Sequence, residues 1–101
     1  MGAKSRNKGK RGELEVAAFL SKHGFEATRN ARNGVDEAED IAHTIPGLWI
    51  EVKRTERLQL DEAFRQAEKA CGGNVPVVVH RKNNQEWRVT LPLTEFLGRI
   101  K

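Results

Sequence analysis

The sequence predicts an α/β fold: a single-domain αβββαββα sandwich with a mixed central sheet. Three observations predict it. Stretches with apolar residues at helical spacing open the chain, interrupt it and close it. Short apolar runs rich in β-branched residues lie between them and read as strands. The 101 residues contain no internal repeat and no interdomain linker, so helices and strands share one domain and are expected to share one core.

Helix one is expected to begin between Lys10 and Gly12 and to stop at Gly24, a suitable left-handed C-terminal cap. Residues 25–29 read as a strand. Residues 30–39 are polar and contain Asn33-Gly34, hence a loop. Two short strands follow, residues 40–45 and 48–53, separated by Pro46-Gly47. Helix two is expected over 61–71, with Asp61 as N-cap and Gly72-Gly73 as its stop. Residues 75–81 form a β-branched run that reads as a buried strand. Asn83-Asn84 then turns the chain into a strand over 86–90. A helix over 92–100 closes the domain, with Leu93, Phe96, Leu97 and Ile100 at helical spacing.

The net charge is +4, and its distribution is informative. Residues 1–12 hold five basic side chains (Lys4, Arg6, Lys8, Lys10, Arg11) and no acid, whereas the rest of the chain is nearly neutral. The first 12 residues are therefore expected to form a flexible basic arm suited to phosphates, ahead of a folded domain over 13–101. A solubilising tail has the same composition. No apolar run approaches the roughly 20 residues of a membrane span, and no secretory signal is visible. The single cysteine, Cys71, permits no intrachain disulfide, which points to a reducing, cytoplasmic setting. One cysteine with the scattered His23, His43 and His80 also excludes a Cys/His zinc cluster, and no role is expected for these histidines.

Chemistry is concentrated around Glu51 and Lys53. Strand residues two apart share a face, so these two point one way while Ile50 and Val52 point into the core. A Glu-x-Lys pair by itself most often marks a half-exposed strand with a salt bridge. Here the apolar neighbours Leu48, Trp49, Ile50 and Val52 suggest a central strand, where charges need partners. If the strand holding Asp40 pairs with it across Pro46-Gly47, two carboxylates and one ammonium meet. That set suits metal-dependent phosphodiester hydrolysis, with oxygen ligands for a hard cation and a lysine for the phosphate. Spacing alone would also admit Asp36 or Glu39; Asp40 is preferred because it abuts Ile41-Ala42. On helix one, Glu13 lies on the stripe of Val16, Ala17 and Leu20, but Glu15 competes, and periodicity does not separate them. Trp49 and Trp87 read as core or rim aromatics.

These residues, with Lys10-Arg11-Gly12-Glu13, Gly24-Phe25, Arg29, Glu39-Asp40-Ile41, Gln66-Ala67 and Gly72-Gly73, give the chain a resemblance over nearly its whole length. It resembles the PD-(D/E)xK nuclease superfamily and, within it, the archaeal-type Holliday junction resolvases, including small phage-encoded members. The resemblance implies a restriction-endonuclease-like fold, with Mg²⁺ (or Mn²⁺) held by Asp40, Glu51, the Val52 backbone carbonyl and Glu13. It implies that Lys53 acts on the attacking water or the phosphate and that Gln66 supports Lys53. It also implies homodimers acting on branched DNA, four-way junctions above all, in the cytoplasm. Lys4, Arg6, Lys8, Lys10, Arg11, Arg29, Arg32 and Arg54 are the side chains expected to meet phosphates. One residue departs from the pattern: relatives usually carry proline where Glu39 stands. The rival expectations are an endonuclease of the same fold acting on flaps, mismatches or single strands, and a non-catalytic DNA-binding module whose acids form structural ion pairs.

Overall fold

A computed structural model describes residues 3–30 and 38–101, with side chains from Gly9 onward. Arg32, Asp36 and the side chains of Lys4, Arg6 and Lys8 lie outside the described residues. The element order is α1 (Ala3–Lys22), β1 (Ala27–Arg29), β2 (Ile41–His43), β3 (Leu48–Arg54), α2 (Leu60–Ala70), β4 (Val75–Arg81), β5 (Arg88–Thr90) and α3 (Leu93–Arg99). This is the expected αβββαββα order.

The first helix starts at Ala3, not between Lys10 and Gly12. Apolar periodicity is blind to that first stretch, but its Ala, Lys and Arg residues are good helix formers. At its other end the expected cap is present. Gly24 has φ +92°, Gly24 N–H donates to the Ser21 carbonyl at 3.1 Å, and Phe25 N–H to that of Leu20 at 3.0 Å. These are the two bonds of a Schellman motif. Gly12 serves packing instead: a Cβ there would stand 2.9 Å from Arg54 Cβ. Its bare backbone lets α1 lie directly on β3.

The strands form two sheets. β1 and β2 pair antiparallel, with Arg29 opposite Ile41. The larger sheet has the order β3-β4-β5, parallel between β3 and β4 and antiparallel between β4 and β5. α2 makes the crossover that a parallel pair requires. The central strand is therefore β4, not β3, and Val78 at its middle is fully buried. Nor do β2 and β3 form the expected ladder across Pro46-Gly47; the outer edge of β3 is met by Glu39 and Asp40 instead. The expected N-cap also shifts: Gln59 holds that position, and Asp61 lies in the first turn of α2, where the helix dipole favours an acid.

The core is split by the sheet, in place of the single core expected. Val16 and Ala17 of α1 pack with Ile41, Ile50 and Val52 on one face. Ala63 and Ala67 of α2 pack with Val78 on the other, flanked by Trp49 and Phe64. α3 does not close the domain as expected. It has no buried residue, and Leu93, Phe96, Leu97 and Ile100 are all exposed.

Candidate active site

The outer edge of β3 carries the candidate site. Alternation along this strand sends Ile50 and Val52 toward α1, which leaves Glu51 and Lys53 to the opposite face. The backbone N–H groups of Ile50 and Val52 point to the free edge, and carboxylates accept both. Ile50 N–H donates to Glu39 Oε2 at 2.8 Å, and Val52 N–H to Asp40 Oδ2 at 2.7 Å. Asp40 N–H donates in turn to the Ile50 carbonyl at 3.0 Å. The Glu39-Asp40 dipeptide thus substitutes for a neighbouring strand. The Val52 carbonyl shares this edge with its own N–H, because both groups of a strand residue point the same way.

Among the described residues, Asp40 and Glu13 are the buried charged ones, 5% and 6% exposed. Burial, and then the facing charge of Glu51, raise the Asp40 pKa from 3.8 to about 8. The Val52 N–H opposes this rise, Glu13 adds to it, and Lys53 opposes it. Asp40, Glu51, Glu13 and Lys53 are therefore electrostatic neighbours, as the sequence suggests. Other groups hold them in place. Trp49 Nε1 donates to Glu51 Oε1 at 2.9 Å, and Arg29 Nε donates to Glu13 Oε1 at 2.7 Å. Lys53 and Gln66 both line a cleft of about 250 Å³ between the end of β3 and the start of α2, together with Arg57, Gln59 and Glu62.

Glu15 takes a different place from Glu13. Its carboxylate lies between Arg54 (Nε 3.3 Å from Oε2) and Arg81 (Nη2 2.8 Å from Oε1), and Arg81 also stacks 5.2 Å above the Trp87 ring. Arg54, expected on phosphates, is only 15% exposed at its side chain and is paired here. Arg29 is 27% exposed and bound to Glu13. Lys10 and Arg11 are exposed on α1.

Among the described residues no three His, Cys, Asp or Glu side chains converge as a cation site. Glu13, expected as a ligand, is close enough for its charge to act on Asp40, and its Oε1 accepts Arg29 Nε–H. What remains fits a hard divalent cation in its chemistry: the Asp40–Glu51 pair offers only oxygen, and its mutual repulsion is the kind a cation relieves.

Sequence reasoning missed Glu39 and His43 as partners. His43 Nε2 is 3.0 Å from Glu39 Oε2, and Ile45 N–H donates to His43 Nδ1 at 3.0 Å. A Glu–His pair four residues apart has no meaning in an extended segment, so no signal pointed to it.

No family model and no curated protein matches the chain. Among solved structures it is similar to Hjc of Archaeoglobus fulgidus, described as a Holliday junction resolvase from an archaeal hyperthermophile. Identity is 31% and the TM-score 0.61, over 83% of this chain and 75% of that one. No helix among the described residues is long and apolar enough to cross a membrane. The order of elements, the carboxylates and lysine gathered at β3 and this likeness have one reading: the chain belongs to the archaeal-type Holliday junction resolvases of the PD-(D/E)xK nuclease superfamily.

Proposed function

We propose that the protein is a metal-dependent endonuclease that resolves four-way DNA junctions by paired phosphodiester hydrolysis in the cytoplasm. The observation that carries this reading is the meeting of Asp40, Glu51 and Lys53 at one strand edge, in a chain similar to a junction resolvase. Asp40, Glu51 and the Val52 carbonyl are the residues that would hold Mg²⁺, with Mn²⁺ as a substitute. When bound, the cation supplies a lowered pKa for water and takes up negative charge on the phosphate.

The chain's own residues do the rest. Lys53 places an ammonium beside the carboxylates, where it can hydrogen-bond a non-bridging phosphate oxygen as charge develops. Gln66 lines the same cleft as Lys53 and would support that ammonium from α2. Trp49 Nε1 fixes one oxygen of Glu51 and so aims the other. Glu13 supports the site from α1 through its charge and through Arg29. Lys10 and Arg11, with Lys4, Arg6, Lys8 and Arg32, add positive charge for backbone phosphates.

A twofold dimer would place two such sites on opposing strands of a junction. Two faces support it. One is the exposed apolar stripe of α3. The other is an apolar groove of about 250 Å³ lined by Phe19, Leu48, Val79, Trp87 and Val89. Apolar surface of this kind commonly marks an interface.

The test is cleavage of a labelled four-way junction beside duplex, flap and single-stranded controls, with Mg²⁺ or EDTA. Paired, Mg²⁺-dependent cuts in the junction alone are expected, and Glu51→Gln should lower their rate at least about 100-fold. Cutting of flaps instead would replace the substrate assignment. Tight binding without cutting would leave a DNA-binding module.

A further inference from the structure

We infer that Glu39 and His43 form a bracket that sets the position of Asp40. Both are then positioning residues for the proposed reaction, and the functional half of the inference rests on that reading.

His43 is the fixed end of the bracket. Its side chain is 2% exposed, and Nδ1 accepts the Ile45 N–H at 3.0 Å. That bond leaves the ring hydrogen on Nε2, which donates to Glu39 Oε2 at 3.0 Å. The same oxygen accepts Ile50 N–H at 2.8 Å. One carboxylate oxygen therefore ties β2 to β3.

Asp40 is the next residue, and its own anchors continue the seam. Its N–H donates to the Ile50 carbonyl at 3.0 Å, its carbonyl accepts Asn30 N–H at 2.9 Å, and its carboxylate takes Val52 N–H. Glu39 thus fixes the backbone immediately before a carboxylate that must remain buried beside Glu51. Glu39 Oε2 is occupied by the Ile50 N–H and the His43 ring. The acid that departs from the family's proline is accordingly a hydrogen-bond acceptor for the scaffold through Oε2. Proline at 39 could make neither bond, so in this chain the link between β2 and β3 runs through a side chain.

Amide hydrogen exchange at Val52 tests the bracket without relying on activity, because Val52 bonds to Asp40 and not to Glu39. Glu39→Ala should speed Val52 exchange by about tenfold or more, with Val79 in β4 unchanged as a control against global unfolding. Glu39→Gln keeps an oxygen able to accept both donors and should retain protection. His43→Phe keeps the ring volume while removing both nitrogens; it should also speed Val52 exchange and carries the test if Glu39→Ala does not fold. Unchanged Val52 protection in Glu39→Ala or His43→Phe overturns the bracket.

The functional half is read from junction cleavage across a Mn²⁺ titration. Half-maximal cleavage should need about tenfold more Mn²⁺ in Glu39→Ala, with the rate at saturation within a few-fold of wild type and Glu39→Gln restored. A lower saturated rate at an unchanged Mn²⁺ requirement overturns positioning in favour of a direct role. A wild-type protein that cuts nothing overturns the proposed function, while the exchange data still decide the bracket.

Discussion

Asp40 has to be an anion to serve a cation site, yet its surroundings favour the proton. Burial and Glu51 raise its pKa from 3.8 to about 8. The folded protein therefore keeps a proton that the unfolded chain releases above 3.8. The stability this contributes is complete below that value and is lost as the pH rises toward 8. Asp40→Asn should accordingly melt higher than wild type in EDTA near pH 8, and the difference should close near pH 4. An equal or lower melting temperature for Asp40→Asn near pH 8 would contradict the raised pKa. Divalent cation should narrow the gap by stabilising the wild type alone. The alternation of strand residues made Glu51 and Lys53 legible in the sequence. Helix periodicity did not separate Glu13 from Glu15, because each has apolar residues three and four positions on, Val16 and Ala17 for Glu13 and Ala18 and Phe19 for Glu15. What divides them is the opposing residue: Arg29 for Glu13, and Arg54 with Arg81 for Glu15. Those partners are remote in sequence and carry no periodic signal.

At the scale of elements, α1 shows how one glycine differs from another. A methyl at Gly12 would meet Arg54 Cβ at 2.9 Å, whereas one at Gly9 would meet nothing within 4 Å. Gly9→Ala should stabilise by roughly 0.5–1 kcal/mol through helix propensity. Gly12→Ala should instead destabilise by about 1–3 kcal/mol, since α1 or β3 must shift. Chemical denaturation of both variants checks the pair, and equal effects would contradict the close approach of α1 to β3. The ends of α1 were unequally legible. Gly24 announced the cap, but no apolar residue lies between Ala3 and Glu13 to mark the start. The expected β2–β3 ladder failed for a related reason: hydrophobic patterning cannot show that carboxylates occupy the donors of a strand.

For the whole molecule, the order of elements was readable because each helix and strand has its own period and its own stop signal. The docking of the last helix was not. Its stripe of Leu93, Phe96, Leu97 and Ile100 reads as core by spacing, yet all four are exposed in the single chain. In the proposed dimer this stripe is the surface most in need of cover. Phe96→Glu with Leu97→Glu should convert the dimer to a monomer in sedimentation at micromolar concentration and abolish paired cutting while sparing single nicks. A dimer unaffected by the double substitution would place the interface elsewhere. Deleting residues 1–9 should reduce the salt dependence of junction binding by about 0.9 in log–log slope for each phosphate that the arm neutralises. An unchanged slope would make the arm a solubilising tail.

The Glu39-Asp40 seam has one more consequence. An unpaired strand edge is a template on which other chains can add by β-pairing, and proteins guard such edges with charge or bulk. β3 is a seven-residue strand with the apolar segment Leu48-Trp49-Ile50 at its start. Its donors at Ile50 and Val52 are occupied by two carboxylates. The acids that shape the candidate site therefore also deny that edge to a second molecule. Stripping both side chains together should leave a protein that fails by self-association as well as by loss of cutting.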